Sequence, residues 1–272
     1  MEFSLLLSVY AKEKPEYLDK CLRSVLKSTV LPNEIILVKD GPLTDELEFV
    51  LEKYCAETDV FKIVSLEKNG GLGTALNAGL EECTYELVAR MDTDDICLQN
   101  RFEMQLKEFE ENPSVSLVGG YITEFIGEET NIVSTRKVPT DFEELKKYSR
   151  KRNPVNHVTV MFKKSDIIEV GSYQKVKDIG YEDYDLWIRL IMAGKIIKNI
   201  DSVLVNVRIG ADMYKRRGDK KRLKTALYFR KKLWKSGYYS FFAYVVCSVE
   251  TVAFAVVPSW VRRIAYKIFL RK

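Results

Sequence analysis

Leu87–Ile96 reads LVARMDTDDI. The apolar run from Leu87 has the character of a strand buried on both faces, and it stops in three carboxylates within four residues: Asp92, Asp94 and Asp95. Side chains alternate along an extended chain, so Asp92 and Asp94 fall on the same side. Two oxygen ligands at the mouth of a sheet suit a hard divalent cation that keeps positions open for phosphate. The rival reading is a solvated turn, because Asp is a favoured turn residue.

The residues before this stretch set its context. Phe3–Val9 is another continuous apolar run, followed by a helix opened by Pro15 with Leu18, Cys21, Leu22, Val25 and Leu26 on one stripe. Glu34–Val38 is a second strand, ending at Asp40-Gly41-Pro42. Thr44 caps the next helix, which turns Leu47, Val50, Leu51 and Tyr54 inward. Phe61–Leu66 is a third strand, Asn69–Cys83 a glycine-opened helix and Glu86–Met91 the fourth strand. This βαβαβαβ order predicts an α/β fold with a mostly parallel central sheet. Ligands of such sheets bind outside the carboxyl ends of the strands. Here those ends are Ser8-Val9-Tyr10, Asp40-Gly41, Asn69-Gly70-Gly71 and Asp92-Thr93-Asp94.

Beyond Ile96 the pattern is more mixed. Leu98–Glu111 and Phe142–Lys151 are expected helices; Val115–Ile122, Asn131–Val138 and Val158–Phe162 are expected strands. Glu182–Ala193 is a helix stopped by Gly194, and a basic helix starts near Asp219. Tyr238–Pro258 is almost wholly apolar, interrupted by Glu250. Its length would span a bilayer. Glu250, the serines and the basic flanks instead predict a segment lying in the interface, with a buried core helix as the third reading. The expected organisation is a catalytic domain over 1–210 and a basic, amphipathic, membrane-associating segment over 211–272.

Composition narrows the classes. With 46% hydrophobic and 30% charged residues in 272, the chain can build a large core and is not disordered. The net charge of +4 is concentrated between Lys215 and Lys235, where only Asp219 opposes the basic residues. Such a run faces an anionic partner, whether lipid, nucleic acid or phosphorylated substrate, or is simply a solvated helix face. The five cysteines are odd in number and none pairs at metal-ligand spacing, which fits a reducing compartment. The start MEFSLLLSVY is too short for a secretory leader and lacks a basic one, so the catalytic part is expected to stay inside the cell.

Two further segments carry candidate chemistry. In GYEDYDLWIRLIMAG (Gly180–Gly194), helical spacing puts Asp183, Trp187, Leu190, Ile191 and Gly194 on one face. Asp183 lies in the first turn, where the helix dipole favours its ionised form, and a carboxylate held on a rigid apolar face is a candidate general base. An ordinary acidic first turn is the simpler alternative. His157, the single histidine, precedes a buried strand in NPVNHVTVMF and is a candidate donor or ligand, against a purely structural role.

Taken in order, Ser8-Val9-Tyr10, Asp40-Gly41, NGGLGTALNAG, ARMDTDDI and YEDYDLWIRL resemble the inverting family 2 glycosyltransferases of GT-A fold, from Phe3 to about Val207. VKDGPLT, EKNGGLG, NPVNHVTVMF and MYKRRG are similar to the bacterial O-antigen, capsule and exopolysaccharide enzymes, several of them β-1,3-galactosyltransferases. The resemblance implies that Ser8, Val9, Tyr10 and Glu13 line the base pocket and that Asp40 accepts a hydrogen bond from uracil. It places Gly71 and Arg90 on the nucleotide-sugar side, Asp92 against the ribose and donor sugar, and Asp94 on Mn²⁺ or Mg²⁺, with Asp95 in support. Asp183 becomes the base. His157, Glu182, Arg208, Tyr214, Arg216 and Arg217 fall on the acceptor or diphosphate side. Where the family commonly has a histidine after the base, this chain has Arg208 and Met213–Arg217. The implied partners are a UDP-sugar, with galactose first, and an undecaprenyl-diphosphate-type saccharide at the cytoplasmic face of a bacterial inner membrane, without nucleic acid. The implied attachment is peripheral or monotopic.

Two rivals remain. Gly71-Leu72-Gly73 with Asp92 roughly twenty residues on matches part of a dinucleotide fingerprint. However, position 76 is Leu instead of the third glycine, and the loop follows strand three instead of strand one. A non-catalytic membrane-bound scaffold is the other, opposed by the presence of Asp40, Asp92, Asp94 and Asp183 together.

Overall fold

Three parallel ladders build the first half of the sheet. β1 (Phe3–Val9) lies between β2 (Glu34–Lys39) and β4 (Leu87–Arg90), and β3 (Phe61–Ser65) flanks β2. The crossovers are α1 (Pro15–Leu26), α2 (Asp45–Glu57) and α3 (Leu72–Glu82). Their buried stripes match the expected ones, Leu18, Cys21, Leu22 and Val25 on α1, where Leu26 is only partly buried, and Leu47, Val50, Leu51 and Tyr54 on α2. Thr44 caps α2 by accepting from the Leu47 amide at 3.4 Å. The computed structural model describes residues 1–176, 180–210 and 220–256.

The second half departs from the parallel expectation. β5 (Ile96–Cys97), α4 (Arg101–Glu111), β6 (Val115–Phe125), β7 (Ile132–Arg136), α5 (Phe142–Tyr148), a 3₁₀ turn (His157–Thr159), β8 (Met161–Lys163), α6 (Lys164–Glu169), α7 (Glu182–Met192) and β9 (Ile196–Arg208) follow in order. The sheet runs β3-β2-β1-β4-β8-β6-β9-β5, with β7 on β6. Only β6 and β9 pair in parallel here; β4–β8, β6–β8, β6–β7 and β5–β9 are antiparallel. The sheet is therefore mixed. The direction reverses at β8, so the edge of β4 that carries Asp92 faces a return strand, not another βα unit.

One glycine fixes how α3 meets the sheet. A Cβ on Gly79 would stand 2.3 Å from Leu6 Cδ1 and 2.6 Å from Val38 Cγ2. The helix therefore presses directly on β1 and β2, and its N-terminal end is held at the mouth of the strands.

The C-terminal helices are α8 (Lys220–Lys235) and α9 (Phe241–Val256). They form a hairpin that packs on the preceding α/β body through Phe229, Leu233, Tyr239 and Cys247 against Val176, Tyr184 and Ile188. Glu250 pairs with Lys151 at 3.0 Å. Phe242, Val245, Val249 and Val252 form an exposed stripe at helical spacing. Among the described residues, no helix is long and apolar enough to cross a membrane.

Candidate active site

A cleft of about 360 Å³ opens at the carboxyl ends of β1, β2 and β4. Ser8, Tyr10, Glu13, Asp40, Gly71, Asp92 and Asp94 line it, joined by Asn69, Leu72 and Thr93. Val9 alternates the other way and is fully buried in the core, so its side chain is not part of the wall. Asp40 serves the loop as well as the cleft. Its carboxylate accepts from the amides of Gly70 (2.7 Å) and Gly71 (3.1 Å), and its carbonyl accepts from Asn69 Nδ2 at 3.2 Å. Those amides are the free donors that precede α3, and this is why the helix begins at Leu72 and not at Asn69.

Ligating oxygens of Asp92, Asp94 and Asp95 lie within 4.8 Å of one another. Burial, then the charges of Asp92 and Glu13, push the Asp94 carboxyl up to about 7. Burial, then Asp94, raises Asp95 as well. Asp95 Oδ1 accepts from the Arg208 amide at 2.9 Å, while its buried Oδ2 has no partner. Thr93 Oγ1 donates to the Ser8 carbonyl at 3.2 Å and ties the loop to β1. Crowded carboxylates with an unsatisfied buried oxygen are the donor set a hard divalent cation takes, so the residues fit Mn²⁺ or Mg²⁺. Such a group opposes folding only once ionised. In metal-free protein, stability should fall as pH rises from 3.8 through about 7. Thermal melts should show this fall reduced in Asp94→Asn and reversed by Mn²⁺ above pH 7. Parallel profiles for the two proteins would contradict it.

Asp183 sits in the first turn of α7, two residues after the cap residue Tyr181, whose φ of 73° is left-handed, a conformation unusual for a bulky residue. Asn153 Nδ2 donates to Asp183 Oδ2 at 2.6 Å. Burial pushes the Asp183 carboxyl above its ordinary range, while the Tyr184 amide, Asn153 and the charges of Arg90 and Arg136 hold it down. Arg90 is 1% exposed and pairs with Asp92 through Nη2; its Nε and Nη1 are buried without partners. One buried guanidinium therefore stands in the field of both Asp92 and Asp183.

The remaining sequence candidates divide. His157 Nε2 is 2.9 Å from the Tyr173 hydroxyl, and its ring packs on Tyr173 and Trp187. Burial and Arg90 hold it neutral, so it offers a hydrogen bond but no charge. Glu182 faces the start of α3, its Cγ 3.7 Å from where a Cβ on Gly73 would stand. Arg208 stacks over Tyr17 (3.9 Å) and Phe125 (4.6 Å) and donates from Nε to the Asp94 carbonyl at 3.2 Å, bracing the carboxylate loop from behind. Tyr214, Arg216 and Arg217 lie outside the described residues. In the sequence Thr93 stands only within the strand end Asp92-Thr93-Asp94 and Asn153 only as the first residue of NPVNHVTVMF, neither with a role of its own. The bond of Thr93 to the Ser8 carbonyl and that of Asn153 to Asp183, 30 residues away, depend on contacts that local spacing does not reveal.

Comparison with known proteins identifies the family. The profile for "Glycosyl transferase family 2" matches residues 4–171. The amylovoran biosynthesis glycosyltransferase AmsE of Erwinia amylovora is 46% identical over 217 residues, which is 79% of this chain and 80% of that protein. The UDP-Gal:alpha-D-GlcNAc-diphosphoundecaprenol beta-1,3-galactosyltransferase of Escherichia coli is 35% identical over 271 residues, 100% of this chain and 97% of that one. In fold, the chain is similar to the mannosyltransferase PcManGT from Pyrobaculum calidifontis, solved with GDP-Man and Mn²⁺, at a TM-score of 0.66 and 14% identity over 97% of this chain and 72% of that one. On the strength of the profile match and these relatives, the chain, with its GT-A fold, belongs to glycosyl transferase family 2 and is a glycosyltransferase.

Proposed function

We propose that this enzyme transfers a hexose, with galactose the lead, from a UDP-sugar to a hydroxyl of a lipid-linked saccharide in surface-polysaccharide synthesis, with inversion at the anomeric carbon. The observation that carries this reading is one cleft whose wall includes Asp40, Glu13 and Asp94, with Arg90 linking Asp92 electrostatically to Asp183. The full-length similarity to a UDP-Gal enzyme acting on a diphosphoundecaprenol acceptor supports the substrate class. Ser8, Tyr10 and Asp40 take the base. A divalent cation on Asp94 and Asp92 would supply charge stabilisation to the departing diphosphate. The acceptor oxygen attacks C1, the bond from C1 to the diphosphate oxygen breaks, and Asp183 receives the hydroxyl proton. A single displacement turns an α-linked donor into a β-linked product. Screening nucleotide sugars against a synthetic lipid-diphosphate sugar, with linkage read by NMR, tests it. A β-galactoside formed only with Mn²⁺ or Mg²⁺ is expected; an α-linked product would overturn the mechanism.

The same reading places the enzyme on the cytoplasmic face of the membrane as a peripheral or monotopic protein. The exposed α9 stripe, beside a cationic α8, supports it, since apolar contact plus attraction to anionic lipid is how interfacial helices bind. Phe242→Asp combined with Val249→Asp should release the enzyme from anionic vesicles in co-sedimentation and leave UDP-sugar hydrolysis unchanged. Parent protein that stays in the supernatant at low salt would defeat the membrane assignment.

A further inference from the structure

The helical hairpin holds one short segment of the catalytic domain, Ser149–Asn153, largely by its backbone. Arg230 donates from Nη1 to the Arg150 carbonyl at 3.1 Å and from Nη2 to the Lys151 carbonyl at 2.8 Å. The Tyr239 hydroxyl also donates to the Arg150 carbonyl and in turn accepts from Arg230 Nη1 at 2.5 Å. The Tyr238 hydroxyl meets Ser149 Oγ at 2.5 Å, and Tyr184 of α7 donates to the Ser149 carbonyl at 2.6 Å. The held segment runs into Asn153, the residue that donates to Asp183. A second contact reaches the base from its own helix. The Phe229 ring lies 4.9 Å from both Tyr181 and Tyr184, the residues that flank Glu182 and Asp183. Lys232 pairs with buried Asp185 at 2.5 Å. Neither Arg230 nor Tyr239 lines the cleft.

We propose that Arg230 and Tyr239 are positioning residues for the transfer reaction: the C-terminal hairpin fixes Asn153 against Asp183 and so sets the orientation of the base. The proposal rests on the reading of Asp183 as that base. A planar guanidinium fork spanning two successive carbonyls restrains the segment in a way a lysine point charge cannot. If the segment drifts, Asn153 loses its register with Asp183, and small misplacements of a reacting group are expensive in rate. The hairpin is thus more than an attachment device. A chain ended at Lys235 keeps Arg230 but loses Tyr239, and it should transfer poorly even to an acceptor free in solution.

The test uses full-length protein in detergent with a short-chain, soluble lipid-diphosphate sugar acceptor, which removes membrane binding from the result. Arg230→Ala should lower kcat by on the order of 10–10²-fold, with donor KM and UDP affinity unchanged. Arg230→Lys should rescue little. Tyr239→Phe should lower kcat in the same direction, and it decides the matter where Arg230→Ala does not fold. Asn153→Ala should lower kcat alone, and adding Arg230→Ala to it should cause no further loss, because both act through one contact. Normal kcat in both hairpin variants, additive losses with Asn153→Ala, or a parallel rise in donor KM would each overturn the proposal. Asp183→Asn run beside them separates the two ideas: full kcat in that variant removes the premise, whatever the hairpin variants do.

Discussion

Asp183→Asn is expected to lower kcat for transfer by on the order of 10²–10⁴, the range lost with a general base. The change keeps the size of the side chain and removes its ability to take a proton. UDP affinity should stay near that of the parent, because Asp183, on α7, is held by Asn153 and does not line the cleft formed by Ser8, Tyr10 and Asp40. Burial raises its pKa above the ordinary carboxylate range, and the Tyr184 amide, Asn153, Arg90 and Arg136 hold it from rising further. Kinetics with a soluble acceptor and UDP binding by calorimetry check both halves. Near-normal kcat would move the base to Glu182, the half-buried first residue of α7 that faces the start of α3.

Asp94→Ala should abolish metal-dependent transfer and weaken UDP binding in the presence of Mn²⁺, and EDTA should do the same to the parent enzyme until Mn²⁺ or Mg²⁺ is returned. Asp94 is raised to about 7 by burial and by the charges of Asp92 and Glu13, a repulsion that a bound divalent cation would relieve. Losing one of a few oxygen ligands removes most of the charge stabilisation on a leaving diphosphate, a contribution of several kcal/mol. Mn²⁺ titration followed by electron paramagnetic resonance gives a readout independent of turnover. Full activity of Asp94→Ala in excess EDTA would refute the assignment.

What could be read in the sequence was local. The apolar stripes of α1 and α2, the Thr44 cap and the carboxylate end of β4 are each set within a few neighbouring residues, and each is where the spacing placed it. β5 is two residues long, too short for any periodicity. β9 was not recognised as a strand. Its segment IIKNIDSVLVNVR mixes polar residues into both faces, and its register with β6 shifts beside Gly120 and Tyr121, so neither strict alternation nor an apolar run appears. The antiparallel half of the sheet depends on which distant strands meet, and it left no trace in spacing. The same holds at the site. Asp92, Asp94 and Asp95 announce themselves because they are adjacent. The contacts of Arg230 with Arg150 and Lys151 run to backbone carbonyls some 80 residues away, which any residue type would supply.

The bond from the Arg208 amide to Asp95 spans 113 residues, and β5 finds its partners only at Val205 and Asn206. This sets an order of events during synthesis. The βα units up to Arg90 close over short sequence separations and can assemble as the chain leaves the ribosome, whereas contacts between distant segments form slowly. The acidic loop therefore lacks the Arg208 amide on Asp95 until the last strand of the sheet has been translated and has docked beside β6. The half of the sheet built from β1 to β4 is thus expected early in folding, and the carboxylate loop is expected to be completed only after β9 docks.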